Sequence, residues 1–498
     1  MWYFLVAALF LLLCYKVLRV SLFWRNKGIP YEPYYCYLYR ILWILNTRSF
    51  ADFQHYAAKR YGRFFGTYKG LTPCIATQEL DIAREVLIKQ FDKFFKRGSD
   101  FKSGDPIWDN SLLNLSHDEW KLMRSAMGYA FTTAKMKPMI TKFTLTAQRL
   151  IGKLNRLAEA NGGKLEREFG EFAKLYAVDT TMAIAYGKDT NCVEHPDAKL
   201  IRHTRIALSP GLATLLFFVA PNFFRYVPGV TFPPKPTMDY FRGLAKHMFK
   251  EKRAGLDKAI ADETADIIDR QLLLQREDPR ITDDLMTSQA FFLMIGGLDA
   301  VGFAFNISVY YLALFPEAQR RAYEEIRSLL GDRREVEYRD LQQLKYVEAL
   351  ILESFRFFPF AFQLDRLCTI ETEVCGIRFE KGMAIDIFGK EMMRDPRYFS
   401  KPAEFRPERF LKEEPELTAE MGAFLLFGDG PKHCPGKRLA LMNSQTALAN
   451  VILAFKFEKC PATPAHPPEL RSGFDFEKMM RKPLVIRIIP RSDIRLLE

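Results

Sequence analysis

The first stretch of the chain is almost entirely apolar. Residues 1–15 carry no charged side chain, and apolar residues continue past Lys16 and Arg19 as far as Trp24. About 20 apolar residues are needed to cross a bilayer, and this length is reached when the two basic side chains extend toward the headgroups. A cleaved signal peptide would instead show basic residues before the apolar run and small residues at a cleavage site. The pattern therefore predicts an uncleaved membrane anchor over residues 1–24.

Basic residues on the C-terminal side of this anchor predict its orientation. Positive charge beside an apolar helix keeps that end in the cytosol, and four such residues follow here: Lys16, Arg19, Arg25 and Lys27. Residues 25–48 contain Pro30 and Pro33, which stiffen the chain, and they are predicted to be a linker. The folded domain is expected to begin near Ser49 and to cover residues 49–498.

The remaining pattern predicts many helices and a small sheet. Strand-like runs separated by turns occur in two places far apart in sequence, residues 63–78 and 369–388. Between residues 80 and 281 the periodicity is mostly helical. These elements predict a single, mainly α domain with a small β region. Residues 208–235 are very apolar but contain five prolines, which leaves two interpretations open: ordinary core, or a loop that dips into lipid.

The longest helical pattern lies near the middle of the chain. It begins at Thr282, whose hydroxyl suits a helix cap, and continues without proline to Phe315. Its central part is apolar on every side, as in a helix at the centre of a large domain or in a membrane. Three glycines interrupt it: Gly296, Gly297 and Gly302. Each costs about 1 kcal/mol relative to alanine, so we expect a flat, bulky group against the backbone there, or a kink. Asp299 in this stretch must be paired, hydrated or protonated, and it is either a structural partner or a proton donor.

Composition narrows the classes of protein. Hydrophobic residues make up 48% of the chain and include 43 Phe, a composition that suits a large buried core. The formal net charge is +12, but the basic residues are scattered and no nucleic-acid-binding motif accompanies them. A dispersed positive surface suits anionic lipid or an acidic protein partner. The eight cysteines form no CxxC pair and are too sparse for a disulfide framework, so reduced thiols in a cytosol-facing domain are expected.

One cysteine lies in a loop with unusual chemistry. Residues 427–438 read FGDGPKHCPGKR and precede a helical run. Glycine and proline favour an irregular loop that brings Cys434 to the beginning of a helix, with Pro435 at its first position. A thiol pKa is lowered by the positive end of a helix dipole and by nearby basic residues, here Lys432, Lys437 and Arg438. The sequence therefore predicts an ionised cysteine. A redox or nucleophilic cysteine would want a second Cys, or His and Asn partners, and nothing near Cys434 resembles them.

This loop resembles the haem-binding loop of the cytochrome P-450 family, whose pattern is Phe-x-x-Gly-x-Arg-x-Cys-x-Gly. Lys432 stands where the family has arginine. Three further elements occur in the family's order: Trp120 with Arg124, Glu353 with Arg356, and the segment 405–410 with Arg409. The resemblance covers nearly the whole chain and is nearest to the animal microsomal branch that oxidises drugs and steroids.

The resemblance implies a haem b cofactor, with Cys434 as the iron ligand in a loop framed by Phe427 and Gly436. It also implies four residues that neutralise the haem propionates: Trp120, Arg124, Arg366 and Lys432. Lysine keeps the charge but lacks the bidentate geometry of arginine, so its contact should be weaker. Behind the haem, the family has a buried charged triad, which corresponds here to Glu353, Arg356 and Arg409.

The family's usual reaction inserts one oxygen atom from O2 into a lipophilic small molecule, such as a xenobiotic, a steroid or a fatty-acid-like compound. Electrons come from NADPH through a flavoprotein reductase, whose acidic surface would suit this basic chain. The resemblance also implies a single-pass protein of the endoplasmic reticulum membrane, with its catalytic domain in the cytosol.

The central helix departs from the family pattern. An acid is normally followed by two hydroxyl residues, whereas this chain has Asp299, Ala300 and Val301. Proton delivery should therefore be less well organised. Three hypotheses follow. The first is a monooxygenase that relies on Asp299, water or a substrate hydroxyl. The second is an O2-independent isomerase or dehydratase that acts on peroxides, and the third is a haem-binding sensor or carrier with little turnover.

The resemblance also suggests substrate contacts. They are expected from residues 99–114 and 208–235, from the central helix, and from two later segments. The individual candidates are Phe291, Phe292, Ile295, Ala300, Phe360, Phe362 and Phe474.

Overall fold

The computed structural model describes residues 2–47, 50–98, 103–208, 231, 233–261, 266–333, 335–359, 363–411, 422–469 and 480–491. The helices of this part are α1 (Trp2–Ser21), α2 (Tyr34–Thr47), α3 (Phe50–Tyr61), α4 (Leu80–Arg84), α5 (Pro106–Asp109), α6 (His117–Ala130), α7 (Thr133–Met136), α8 (Met139–Ala160), α9 (Phe169–Ala185), α10 (Ala198–Leu208), α11 (Lys235–Ala261), α12 (Ile267–Glu277), α13 (Asp283–Leu314), α14 (Pro316–Leu330), α15 (Tyr338–Leu341), α16 (Lys345–Phe357), α17 (Gly389–Met392) and α18 (Lys437–Ala454). The strands are β1 (Phe64–Lys69), β2 (Thr72–Thr77), β3 (Leu165–Glu168), β4 (Leu364–Leu367), β5 (Thr372–Val374), β6 (Ile377–Phe379), β7 (Ala384–Ile387), β8 (Phe455–Glu458) and β9 (Val485–Pro490).

The main sheet joins the two ends of the chain, as predicted. Its strand order is β1-β2-β7-β4, and β2 pairs with β7 in parallel while the other pairs are antiparallel. Gly70 makes the turn between β1 and β2 with a φ of 60°, a backbone conformation that favours glycine. Smaller sheets are formed by β3-β9-β8 and by the β5–β6 hairpin. The prediction of a mainly α domain with a small β region is confirmed.

Helix α13 runs through the centre of the domain and packs against α9, α16 and α18. The hydroxyl of Thr282 accepts a hydrogen bond of 3.2 Å from the Leu285 amide, so the predicted cap is confirmed. Two of its glycines allow close helix packing. A methyl group at Gly297 would lie 3.2 Å from the Thr181 side chain, and one at Gly302 would lie 3.4 Å from Ala177 Cβ. Only the third, Gly296, has open space in front of it.

Within the described part of the chain, α13 is the helix that is long and apolar enough to cross a bilayer. Its neighbours in the domain make it a core helix. Helix α1 covers most of the predicted anchor, and the anchor itself remains a prediction. Nearly all of the apolar segment 208–235 lies outside the described residues, and so do Phe360, Phe362 and Phe474.

The segment 25–48, which was predicted to be a linker, packs on the main sheet. Just before it, Trp24 is 1% exposed, lies on Gly66 and donates a hydrogen bond of 2.9 Å to the Thr67 carbonyl. Inside it, Glu32 and Arg40 form a buried ion pair at 2.6 Å, and α2 begins at Tyr34. Side chains on either side of the two prolines therefore pack on the sheet, and the boundary of the domain remains a prediction.

Candidate active site

The glycine-containing loop before α18 delivers Cys434 into the interior. Gly428 and Gly430 adopt φ values of 70° and 67°, which a residue with a Cβ rarely does. The Cys434 amide donates a hydrogen bond of 2.7 Å to the Phe427 carbonyl and closes the loop. Helix α18 begins at Lys437 with Gly436 as its cap, so Pro435 precedes the helix and does not occupy its first position.

The electrostatics of Cys434 differ from the prediction. Burial raises the pKa of this thiol, against the lowering effects of the Gly436 amide, Arg124 and Lys437. The predicted lowering by the loop is therefore present but smaller than the desolvation of the anion. A bound metal cation would favour the thiolate, since a coordinating thiol is deprotonated by its metal.

A cavity of about 430 Å³ lies between this loop and α13. Its lower side is formed by Cys434 and neighbouring residues of the loop and of α18. Its upper side is formed by α13, through Phe292, Gly296, Ala300 and other residues. Because Gly296 has no Cβ and faces open space, a flat group can approach the helix backbone there. The cavity is therefore a mainly apolar slot with a thiol on one face.

One edge of the slot is strongly basic. The side chains on this edge come from α6, β4, the loop of Cys434 and the segment before α5. They are Arg97, Trp120, Arg124, Arg366, Lys432 and His433. Arg124 Nη2 lies 3.2 Å from His433 Nε2. Arg366 is 1% exposed, and burial, followed by the nearby charge of Arg97, lowers its pKa to about 10. The four residues predicted to neutralise propionates thus line one edge of one cavity.

Lys432 is held by aromatic rings. Its ammonium lies 3.6 Å from the ring centre of Phe95 and 5.6 Å from that of Trp120. Both distances are in the range of a cation–π interaction. The lysine that replaces the family's arginine is therefore supported by two aromatic rings.

Arg97 was not identified from the sequence. It follows Lys96, whose backbone pairs with Leu367 at the end of β4, and this pairing puts it beside Arg366. Burial lowers the pKa of Arg97 as well. No local motif surrounds this arginine, and the only signal available was its place two residues before a predicted substrate segment.

The residues present fit a haem. Among the described residues, the buried Nε atoms of Arg97 and Arg366 have no hydrogen-bond partner, and a buried donor without a partner is costly. Two propionate groups would satisfy such donors at the basic edge. The apolar slot would accept the macrocycle, and the Cys434 sulfur is available beneath it as an iron ligand.

The three residues of the predicted charged triad lie together, and none of them is among the described residues that line the cavity. Glu353 accepts hydrogen bonds from Arg356 at 2.7 and 2.9 Å and from Arg409 at 3.2 Å. All three side chains are at most 1% exposed. The two guanidinium groups also donate to backbone carbonyls, those of Met393, Pro402, Ser400 and Glu404. The triad therefore joins α16 to the segment 393–409.

The two proposed catalytic residues of α13, Asp299 and Ala300, differ in whether they line the cavity. Ala300 lines the cavity, whereas Asp299 is half-buried and is not among the described lining residues. Val301, the second position where the family has a hydroxyl, also lines the cavity. The methyl groups of Ala300 and Val301 therefore line the cavity at the two positions where the family has hydroxyl residues.

The candidate substrate contacts are also divided. Phe292 lines the cavity together with Leu112 and Leu113 from the segment 99–114. The ring of Phe291 packs in the core, 5.2 Å from that of Phe241, and Ile295 packs against the same core cluster. Among the described residues, neither Phe291 nor Ile295 lines the cavity, because they lie on the other side of α13.

A cysteine thiol on one face of a mainly apolar cavity with basic residues in its lining is the arrangement that a haem-thiolate protein requires. Comparison with known proteins gives the family. The model of the family "Cytochrome P450" matches residues 30–485. Cytochrome P450 3A5 of Homo sapiens is 28% identical over 511 aligned positions, which cover 98% of this chain and 96% of the relative. Cytochrome P450 3A9 of Rattus norvegicus is 26% identical, with 99% and 97% covered.

The chain belongs to the cytochrome P450 family, so the resemblance seen in the sequence is confirmed. It is an oxidoreductase of the monooxygenase type, and its family binds haem. The relatives named above come from animals, in agreement with the predicted branch.

Proposed function

We propose that this chain binds haem b through the Cys434 thiolate and inserts one atom of O2 into a bulky, lipophilic small molecule. The second oxygen atom leaves as water, and NADPH supplies two electrons through a flavoprotein reductase. The observation that carries the proposal is the position of Cys434 beneath a cavity whose basic edge holds buried, unpartnered arginine donors. Haem ligated by a thiolate supplies the activation of dioxygen and the cleavage of its O–O bond.

The lining of the cavity supports an apolar substrate. Its described wall on the α13 side consists of carbon-rich side chains such as Phe292, Leu293 and Val301, and Leu112 and Leu113 face it from the segment after α5. These groups bind by excluding water and offer few hydrogen bonds. A xenobiotic, a steroid or a fatty-acid-like compound therefore suits the site better than a polar metabolite.

Exposed basic residues support a reductase partner. Four of them lie on α6, before α8 and at the beginning of α18, which directly follows the loop of Cys434: Lys121, Lys137, Lys437 and Arg438. Positive charge around the thiolate side of the haem would attract the acidic surface of a flavoprotein and raise the association rate. The electron would then enter from the side of the protein on which Cys434 lies.

Two surfaces support attachment to a membrane, which we propose to be that of the endoplasmic reticulum. Helix α1 exposes large apolar side chains along its length, including Tyr3, Phe4 and Leu11. Helix α2 exposes a second stripe at helical spacing: Tyr35, Leu38, Tyr39 and Leu42. Lipid around α1 and headgroups around α2 would cover both, with the catalytic domain on the cytosolic side.

The test of the proposal is turnover with isotopically labelled O2. Purified full-length protein in lipid vesicles, with NADPH and the flavoprotein reductase, is expected to convert a steroid or fatty acid to a product that contains one labelled oxygen atom. Cys434→Ser is the matched control, since it keeps a hydroxyl in place of the thiol and should lose both the product and the carbon monoxide spectrum of a thiolate-ligated haem. Turnover with an organic hydroperoxide alone, and none with NADPH and reductase, would contradict the proposal.

That outcome would instead favour the second candidate function, an O2-independent rearrangement or dehydration of peroxides. The methyl groups of Ala300 and Val301 at the cavity wall favour this candidate, because a hydroxyl there would help to deliver protons to bound oxygen. In the monooxygenase, Asp299, a water or the substrate would have to supply the proton.

Ala300→Thr measures this missing hydroxyl. We expect more product per NADPH consumed, because the new hydroxyl can relay a proton. Ala300→Val is the control, since valine has nearly the shape of threonine without its hydroxyl. An equal yield from both variants would contradict the proton relay while leaving haem binding untouched.

A further inference from the structure

A second charged cluster lies behind the basic edge, inside the main sheet. Lys69 Nζ is 2.9 Å from Asp365 Oδ2 and 2.6 Å from Asp386 Oδ1, so one ammonium bridges two carboxylates. Asp365 and Asp386 face each other across the β4–β7 pair and are 7% and 8% exposed. Buried charges of this kind are costly unless they are paired, so two facing carboxylates with one partly buried ammonium call for an explanation.

The cluster is in direct contact with the two segments that carry Arg97 and Arg366. Asp365 precedes Arg366 in β4, and its carbonyl accepts a hydrogen bond of 2.7 Å from Arg366 Nη1. A methyl group at Gly98, next to Arg97, would lie 3.2 Å from Lys69 Nζ and 3.4 Å from Asp365 Oδ2. The backbone that carries Arg97 therefore passes closely over the Lys69–Asp365 pair.

The charge interactions also connect Asp365 with the two arginines. Arg97 and Arg366 are like charges, and the charge of Arg97 lowers the pKa of Arg366. The carboxylate of Asp365 opposes the lowering of the pKa of both arginines. It is therefore a counter-charge that both guanidinium groups share on the protein side, and Lys69 holds it in place.

We propose that the Lys69–Asp365–Asp386 cluster positions Arg97 and Arg366 for the haem propionates and contributes to the electrostatic field at the haem. Asp365 is then a positioning residue, because it acts through the arginines and does not touch the haem. The proposal rests on the haem site described above, but not on the reaction that the haem carries out.

The test is the reduction potential of the full-length, haem-loaded protein. Asp365→Asn removes one negative charge near the haem and should raise the potential, since a more positive surrounding favours the reduced iron. It should also speed the transfer of haem to apomyoglobin, because Arg97 and Arg366 lose the counter-charge that they share. Asp365→Glu keeps the charge and should restore the potential of the unaltered protein.

Glu32→Gln is the matched control. Glu32 is also buried beside this sheet and paired with an arginine, Arg40, so the variant loses the same charge while Asp365 keeps its contacts with Lys69 and with the backbone of Arg366. An unchanged potential in Asp365→Asn, or an equal shift in Glu32→Gln, would overturn the proposal.

Lys69→Met decides the question if Asp365→Asn does not fold. It leaves two facing carboxylates with no cation between them, so one of them should take up a proton. The potential should then depend on pH across the neutral range more steeply than in the unaltered protein, and an identical pH dependence would overturn the proposal. Absence of a haem-thiolate spectrum in the unaltered protein would overturn the haem site as well, whereas equal potentials would overturn only the role of the cluster.

Discussion

Two pairs of buried arginines lie in this domain, and their surroundings are opposite. Arg356 and Arg409 share the carboxylate of Glu353, and most of their remaining donors reach backbone carbonyls. Arg97 and Arg366 line a cavity, repel each other and keep Nε atoms with no partner in the described part of the chain. Arg356, Arg409 and Arg366 are at most 1% exposed, whereas Arg97 is partly exposed with its Nε atom buried. The main difference between the pairs is the supply of acceptors.

This difference separates structure from binding. A saturated network has nothing left to offer a ligand, and its contribution is to hold segments together. A buried cation with spare donors is unfavourable until an anion arrives, so its cost is recovered on binding. Hydrogen-bond donors without a partner therefore distinguish the basic edge of the cavity from the triad more clearly than charge or burial does.

The largest expected effect comes from breaking the saturated network. Glu353→Ala strands two buried guanidinium groups and should lower the free energy of unfolding by about 3–5 kcal/mol, as measured by chemical denaturation. Glu317→Ala is the control, because Glu317 and Arg320 form a pair with the same spacing on an exposed helix face, worth at most about 1 kcal/mol. Similar losses from both variants would contradict the comparison.

The pair Arg97 and Arg366, which has donors without a partner among the described residues, should respond in the opposite way. Arg366→Met removes a buried charge, so the haem-free protein should keep or gain stability in chemical denaturation. The haem-loaded protein should release haem about 10- to 100-fold faster, because a charged hydrogen bond to a propionate is lost. Transfer of haem to apomyoglobin measures this rate. A loss of stability in the haem-free protein as large as that of Glu353→Ala would show that both pairs are structural.

A pH dependence sharpens the description of the triad region. His466 stacks on Phe357 with ring centres 4.3 Å apart, and burial, followed by the charges of Arg394 and Arg356, lowers its pKa from 6.5 to about 4. The unfolded chain therefore binds a proton in a range where the folded chain does not. The resulting stability is present above pH 6.5 and lost as the pH falls toward 4. Thermal unfolding of His466→Gln should depend less on pH in this window than that of the exposed control His195→Gln.

The smallest expected effect concerns the aromatic support of Lys432. Phe95→Leu removes a cation–π contact worth about 0.5–2 kcal/mol, and haem release should become a few-fold faster. Phe91→Leu is the control, because Phe91 packs in the same aromatic group, 5.7 Å from Phe95. Equal rates in the two variants would mean that Lys432 is held by other contacts.

The saturated network could be predicted from the sequence, and the open edge only in part. Glu353 and Arg356 are neighbours on one helix, and Arg409 lies in a short segment with a recognisable pattern, so local sequence carries the information. Arg97 depends on the pairing of Lys96 with Leu367 across most of the chain. Such a long-range contact leaves no periodicity behind, and the Lys69 cluster was missed for the same reason.

Glycine and proline were informative where they act locally. The irregular loop of Cys434 was predicted from its glycines and prolines, and its Gly428 and Gly430 adopt positive φ. The glycines of α13 were predicted to face a flat group or to mark a kink. Gly302 instead packs closely against α9, and Gly297 both contacts Thr181 of α9 and lines the cavity. Pro30 and Pro33 suggested a linker, yet tertiary packing of Trp24 and of the Glu32–Arg40 pair outweighs that local preference.

The contact of Trp24 with Gly66 has a consequence for the whole molecule. A methyl group on residue 66 would overlap the indole ring, so the missing side chain at this position lets Trp24 lie directly on the sheet. With α1 in a bilayer as proposed, this contact would help to fix the tilt of the catalytic domain over the membrane. Gly66→Ala would then act as a wedge that rotates the catalytic domain against the lipid without altering any group near the iron.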